Sequence, residues 1–122
     1  MSRILFFDDN PARHELMNGK FPNDNITHVY DISIFQQLLP ELDQFDTIYL
    51  DHDLNDFDAQ SLLWDGQKAT GLDACGMMVK FPTKAEIIIH SSNGQGAAAM
   101  VDFLASRGIT SYWKMWDINT GI

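Results

Sequence analysis

The sequence is poor in cysteine and in positive charge, and it contains no long apolar run. A single cysteine, Cys75, among 122 residues excludes an internal disulfide framework and is too few for a zinc cage. It lies in an expected helix, where it reads as a small buried thiol. Eight Lys and Arg face seventeen Asp and Glu, a formal net charge of −9. Such a chain lacks the basic patch that general binding to DNA or RNA backbone requires. No apolar stretch approaches the roughly 18–20 residues that span a membrane. The N-terminus enters a strand without a charged-then-apolar leader, so a cytoplasmic protein is expected. What is present is enough for a core: 45% hydrophobic and 11% aromatic residues describe one folded domain over 1–122 rather than a disordered tail.

Short apolar runs alternate with amphipathic segments, the βαβα rhythm of a parallel sheet. The first strand is expected at Arg3–Phe7. Asn10-Pro11 then supplies an N-cap with proline at the first helical position, and the helix runs to about Asn18 before Gly19. A second strand is expected at Thr27–Tyr30. Asp31 caps a helix from Ile32 to Leu39 with Ile34, Phe35, Leu38 and Leu39 on one face. The third strand is Thr47–Leu50. An irregular stretch follows from about Leu54 to Thr70, long enough to be functional, and Leu62-Leu63-Trp64 within it suggests a lid. A third helix opens at Thr70 or Gly71 and runs through Lys80, stopped by Pro82. The fourth strand, Ala85–His90, is almost all Ile and reads as buried on both faces. Gln95-Gly96 opens an Ala-rich helix to about Arg107, stopped by Gly108. The fifth strand is about Thr110–Trp113. The nine residues after it are too few for a good closing helix, which is expected to be absent or truncated. The fold class is α/β: a three-layer sandwich on a five-stranded parallel sheet in the order 2-1-3-4-5.

Polar clusters stand at the ends of three of these strands: Asp8-Asp9, Asp51-His52-Asp53 and His90-Ser91-Ser92-Asn93. In an open α/β sheet ligands bind outside the carboxyl ends of the strands, so the clusters point to one site. The strand order puts Asp8, Asp9 and Asp51 together. Converging carboxylates repel unless a cation lies among them, and oxygen donors favour Mg²⁺ or a similar hard ion.

This layout resembles the receiver domains of two-component response regulators. The resemblance rests on Asp8-Asp9 after strand one, Asp51 after strand three, Ser91 after strand four and Lys114 after strand five. It implies a flavodoxin-like fold and an acidic pair that helps to bind Mg²⁺. It further implies a phosphoacceptor at Asp51, a sensing hydroxyl at Ser91 and a contacting lysine at Lys114. A divergent branch, the cyclic-phosphate-processing receiver-like family, is more similar still. Its look is present in Phe7-Asp8-Asp9 followed by Arg13, in Leu50-Asp51-His52-Asp53-Leu54, in Thr70-Gly71-Leu72-Asp73, and in His90-Ser91-Ser92-Asn93 leading to Gly96-Ala97-Ala98. The sequence departs from an ordinary receiver in His52, Asp53 and His90 and in the missing closing helix.

The leading expectation is a metal-dependent, phosphoesterase-like domain acting on a nucleotide or cyclic phosphate. Asp8, Asp9 and Asp51 would hold Mg²⁺ or Mn²⁺, which polarises phosphoryl oxygens and orients water. His90, with Asp53, would carry the proton. Were strand three to continue, Asp53 would share a face with Asp51 and His52 would point away. Ser91, Asn93, the helix start at Gly96, Lys114 and Arg13 would grip the phosphate. His14 and His28 read as surface or packing residues. Trp64, Trp113 and Trp116 either stack on a base or fill the gap left by the absent helix, and apolar surface at that edge suits a homodimer. Two alternatives stand beside this reading: a signalling receiver phosphorylated on Asp51, and a non-catalytic module that binds a nucleotide or a partner.

Overall fold

Residues 2–54, 62–63 and 65–117 are described by the computed structural model. Trp64 and residues 55–61 of the expected lid stretch lie outside them. Five parallel strands form one sheet in the order β2-β1-β3-β4-β5, as expected. They are β1 (Arg3–Phe7), β2 (Asn25–Val29), β3 (Thr47–Leu50), β4 (Glu86–Ile89) and β5 (Tyr112–Trp113). The helices between them are α1 (Pro11–Lys20), α2 (Ile32–Leu38), α3 (Gly71–Met78) and α4 (Gly94–Ser106), and a 3₁₀ turn at Leu39–Gln44 follows α2.

Each helix starts at a side-chain cap. Asn10, Asp31, Thr70 and Asn93 accept from backbone N–H groups of Ala12, Ile34, Leu72 and Gly96, filling donors that a helix start leaves open. Several boundaries moved. Helix α1 passes through Gly19 to Lys20, because Met17 anchors its last turn: it is fully buried and its carbonyl accepts the Phe21 N–H. Strand β2 starts at Asn25, not Thr27, because parallel pairing sets Asn25 beside Arg3. Ile34 is 41% exposed while Ile32, Phe35 and Leu39 are buried. The inward face is therefore i, i+3, i+7 from Ile32, and Ile34 falls off it.

Side chains alternate across the sheet and build two cores. Leu5, Phe7, Ile48, Leu50, Ile87 and Ile89 face α2, α3 and α4. Ile4, Phe6, Tyr49 and Ile88 face α1 through Met17, joined by Phe21 and Trp116. Strand β4 is buried on both faces, and removing each isoleucine from water is worth about 1.5–3 kcal/mol. No helix follows β5 among the described residues, and Trp116 packs where the second face would otherwise lie open. Strand β5 itself is two residues long and exposed, with Tyr112 at 55% and Trp113 at 42%.

In the described part of 54–70, Leu54 and Ala69 are buried, and Asp53 bridges Thr70. Leu62 bridges Lys68 across a tight turn whose Gly66 has φ +83, a conformation glycine adopts without Cβ strain. Leu63 packs on the core, whereas Leu62 is exposed. No described helix is long and apolar enough to cross a membrane.

Candidate functional site

Parallel register sets the site. Phe7, Leu50 and Ile89 pair across β1, β3 and β4, so the next residue on each strand, Asp8, Asp51 and His90, forms one row along the carboxyl edge. Main-chain bonds carry the row past the strand ends: Asp51 N–H donates to the Phe7 carbonyl at 3.1 Å and His90 N–H to the Leu50 carbonyl at 2.9 Å. One ligand atom from each of the three lies within 4.8 Å of the other two. All three side chains are buried.

The carboxylates are differently provided for. Asp8 accepts the Asn10 N–H at 2.7 Å, the His90 Nε2–H at 2.9 Å and an Arg13 N–H at 3.2 Å. Burial pushes the Asp8 carboxyl up, but His90, the Asn10 N–H and Arg13 together outweigh it and hold it below the usual range. Among the described residues Asp51 accepts only the His52 N–H, at 2.9 Å, and its other oxygen lies 3.7 Å from Arg13. Burial and the neighbouring Asp8 charge raise it to about 8, against the pull of Arg13 and the His52 N–H. The pair is therefore short of positive charge. Two buried carboxylates and one imidazole nitrogen fit a divalent ion that accepts oxygen and nitrogen donors, Mn²⁺ or Mg²⁺ among them.

His90 is neutral because complete burial disfavours its cation. Its ring stacks on Phe6 at 4.6 Å, and its Nδ1 has no hydrogen-bond partner among the described residues.

The remaining expected residues divide. Asp9 is buried next to Asp8 but is not a member of the three-residue cluster. Arg13 joins the site from α1, across both carboxylates. Among the described residues Asp53 makes no hydrogen bond to His90. Strand β3 ends at Leu50, so the alternation that would align Asp53 with Asp51 stops there. Its carboxylate is bonded to His52 Nδ1 at 2.8 Å and to the Asn93 amide at 3.4 Å. Ser91 is buried, and its hydroxyl accepts the Asn93 N–H at 3.0 Å. The row position opposite Asp51 belongs to His90, one residue earlier.

Asn93 spends its side-chain oxygen on Gly96 N–H at 2.9 Å. Gly96 lies under the His52 ring, where a Cβ would come within 2.5 Å of it, so its bare Cα seats an imidazole. Lys114 is exposed; its N–H continues the sheet by donating to the Ile89 carbonyl at 2.8 Å, and its side chain has no ion-pair partner among the described residues. It lines an open groove of about 590 Å³ with Glu86, Thr110 and Tyr112.

One contributor escapes sequence reading, and another does more than was expected of it. His14 is buried; its Nε2–H donates to the Asp8 carbonyl at 2.7 Å, which leaves Nδ1 to accept from His28 Nδ1–H at 2.6 Å. Burial lowers His14 to about 4. The available signal was its spacing: His14 and Met17 are i, i+3 on the inward side of α1. The other is Trp116, whose ring lies 5.0 Å from the Arg13 guanidinium.

Comparison with known proteins agrees with this fold. The computed fold is similar to the signal receiver domain of a LuxO repressor protein from Vibrio parahaemolyticus, with TM-score 0.68 and 19% identity over 98% of this chain and 81% of that one. It is also similar to the non-phosphorylated HemR receiver domain from Leptospira biflexa, with TM-score 0.66 and 18% identity over 93% and 81%. A third is a response regulator protein from Burkholderia pseudomallei with a phosphorylated aspartic acid, calcium ion and citrate, with TM-score 0.64 and 15% identity over 93% and 59%. No curated protein matches the sequence. The model of one family, the cyclic-phosphate processing receiver domain, matches residues 3–106. The chain belongs to that family.

Proposed function

We propose that this chain is a signalling receiver domain whose phosphoryl acceptor is Asp51. The observation that carries the reading is the row Asp8–Asp51–His90, in which Asp51 is buried beside a second carboxylate and short of positive charge. The phosphorylated aspartic acid and calcium ion of the Burkholderia response regulator support it by likeness of fold. Asp8 and Asp51 would hold a divalent cation, which when bound supplies the missing positive charge and polarises the phosphoryl oxygens.

The chain's own groups do the rest. The His52 N–H fixes one Asp51 oxygen and leaves the other, beside Arg13, as the nucleophile. That oxygen forms a bond to phosphorus while the bond to the donor's leaving carboxylate breaks, and the leaving carboxylate keeps the electron pair. His90 holds Asp8 in place through its Nε2–H. Incubation with a small acyl phosphate and Mg²⁺ tests the proposal. Intact mass should rise by one phosphoryl group that hydroxylamine removes, and Asp51→Asn should abolish the gain. Labelling that survives Asp51→Asn, or none at all, sinks it.

The family's own description and the imidazole beside Asp51 support a second reading, hydrolysis of a nucleotide cyclic phosphate. His90 would be the proton carrier. A panel of cyclic mono-, di- and oligonucleotides with Mg²⁺, Mn²⁺ or chelator tests this, and absence of turnover across the panel removes it. The exposed Tyr112, Trp113 and Met115 at the β5 edge support a homodimer, which sedimentation would show as a concentration-dependent mass.

A further inference from the structure

We propose that Arg13 is the resident counter-cation of the Asp8–Asp51 pair, and that a divalent cation enters by exchange with it, moving the guanidinium and Trp116 together. The inference rests on the metal-holding part of the reading above and goes beyond it.

The site is closed on itself. One Asp8 oxygen takes the Asn10 N–H and the other takes both His90 and Arg13. One Asp51 oxygen takes the His52 N–H. What remains is the space between the Oδ2 atoms of the two carboxylates, and the same Arg13 Nη1 spans it at 3.2 and 3.7 Å. A hard cation needs those same oxygens at about 2.0–2.6 Å, so the guanidinium and the ion cannot occupy the position together. Replacing one positive charge by two also balances two carboxylates, which Arg13 alone does not.

The outer side of Arg13 is held loosely. Its second amino group is 3.5 Å from the Ser92 hydroxyl, and the rest lies over the Trp116 ring. Beside it is a cavity of about 310 Å³ lined by Asn10, Ala12, Arg13, Leu16, Ser92 and Trp116. That volume gives the guanidinium somewhere to go. Because Trp116 also covers Phe6 on the second sheet face, its displacement carries occupancy of the acidic row to the segment after β5.

The test titrates the full chain with Mg²⁺ and Mn²⁺, read by calorimetry and by tryptophan emission. Wild type should show saturable binding and an emission change that Trp116→Phe removes. Arg13→Gln should bind the ions about tenfold more tightly, a ratio that corresponds to ~1.4 kcal/mol. Equal or weaker binding by Arg13→Gln overturns the proposal, as does absence of binding to both proteins or an emission unchanged at saturation. Should Arg13→Gln fail to melt cooperatively, the comparison of wild type with Trp116→Phe decides alone. Failed labelling of Asp51 with the exchange intact overturns only the phosphoacceptor reading. Labelling with no exchange overturns only this one.

Discussion

Replacing Asp51 by asparagine keeps the acceptor for the His52 N–H and removes the second buried carboxylate. In the folded chain Asp51 titrates at about 8, against about 3.9 in an unfolded one. The folded state therefore holds a proton that the unfolded state has released, and stability falls as pH rises from about 4 to about 8. At pH 7 the accumulated cost is about three pKa units, ~4 kcal/mol at 1.36 kcal/mol each. Allowing for the lost attraction to Arg13, Asp51→Asn should stabilise the chain in chelator by about 3 kcal/mol, or roughly 10 °C in melting temperature.

The pH profile separates this from better packing. Between pH 7 and 8 wild type should lose about 1 kcal/mol that the variant does not, because the folded site is itself half titrated at pH 8. His14, His28 and His90 are all lowered and titrate below this window. Cys75, raised to about 12 by burial, is common to both proteins and cancels in the difference. Differential scanning calorimetry at pH 7.0, 7.5 and 8.0 in chelator measures it. A variant that melts at or below wild type, or a difference between the two that does not change with pH, refutes the argument that Asp51 is short of positive charge.

Acid should act through the other core. Because burial lowers His14 to about 4 while an unfolded histidine titrates near 6.5, the unfolded state binds the extra proton and stability drops as pH falls through that window. His14→Gln, which keeps a donor toward the Asp8 carbonyl, should be less stable at pH 7 yet lose less than wild type on acidification to pH 5; equal losses in parallel melts would exclude His14 as the titrating group. The two tight glycines should differ. A Cβ at Gly71 runs into the Asp51 main-chain oxygen and the Met100 side chain, whereas at Gly96 the nearest atoms it meets are those of the His52 ring. Gly71→Ala should cost about 3 kcal/mol and Gly96→Ala about 1 kcal/mol, since a partly exposed ring can swing aside and a strand-end carbonyl cannot; urea melts giving the opposite order would contradict this.

The site was legible where a residue's position follows from its strand. Asp8, Asp51 and His90 each stand one residue past an apolar run, and parallel pairing then leaves them no choice but one row. Arg13 was legible as a basic residue near the site, though not as a bridge over both carboxylates. Ser91 and Lys114 were placed by analogy with receivers; in the structure His90 takes the register position beside Asp51, and Lys114 is exposed one residue past β5. Asp53 was expected to share a face with Asp51 only if the strand continued, and β3 ends at Leu50.

By itself the sequence determined the five strands, the helix caps at Asn10 and Asp31, the sheet order and the edge at which chemistry gathers. These follow from local rules, period-two burial and side-chain caps, acting within a few residues. Tertiary structure alone decided that Asp8 would be well compensated and Asp51 poorly, that His14 would hold the Asp8 carbonyl, and that Arg13 and Trp116 would close the site. Those outcomes join residues as far apart as Asp8 and His90, 82 positions along the chain. They depend on how far each charge lies from water and from its neighbours, and the order of residues does not carry those distances.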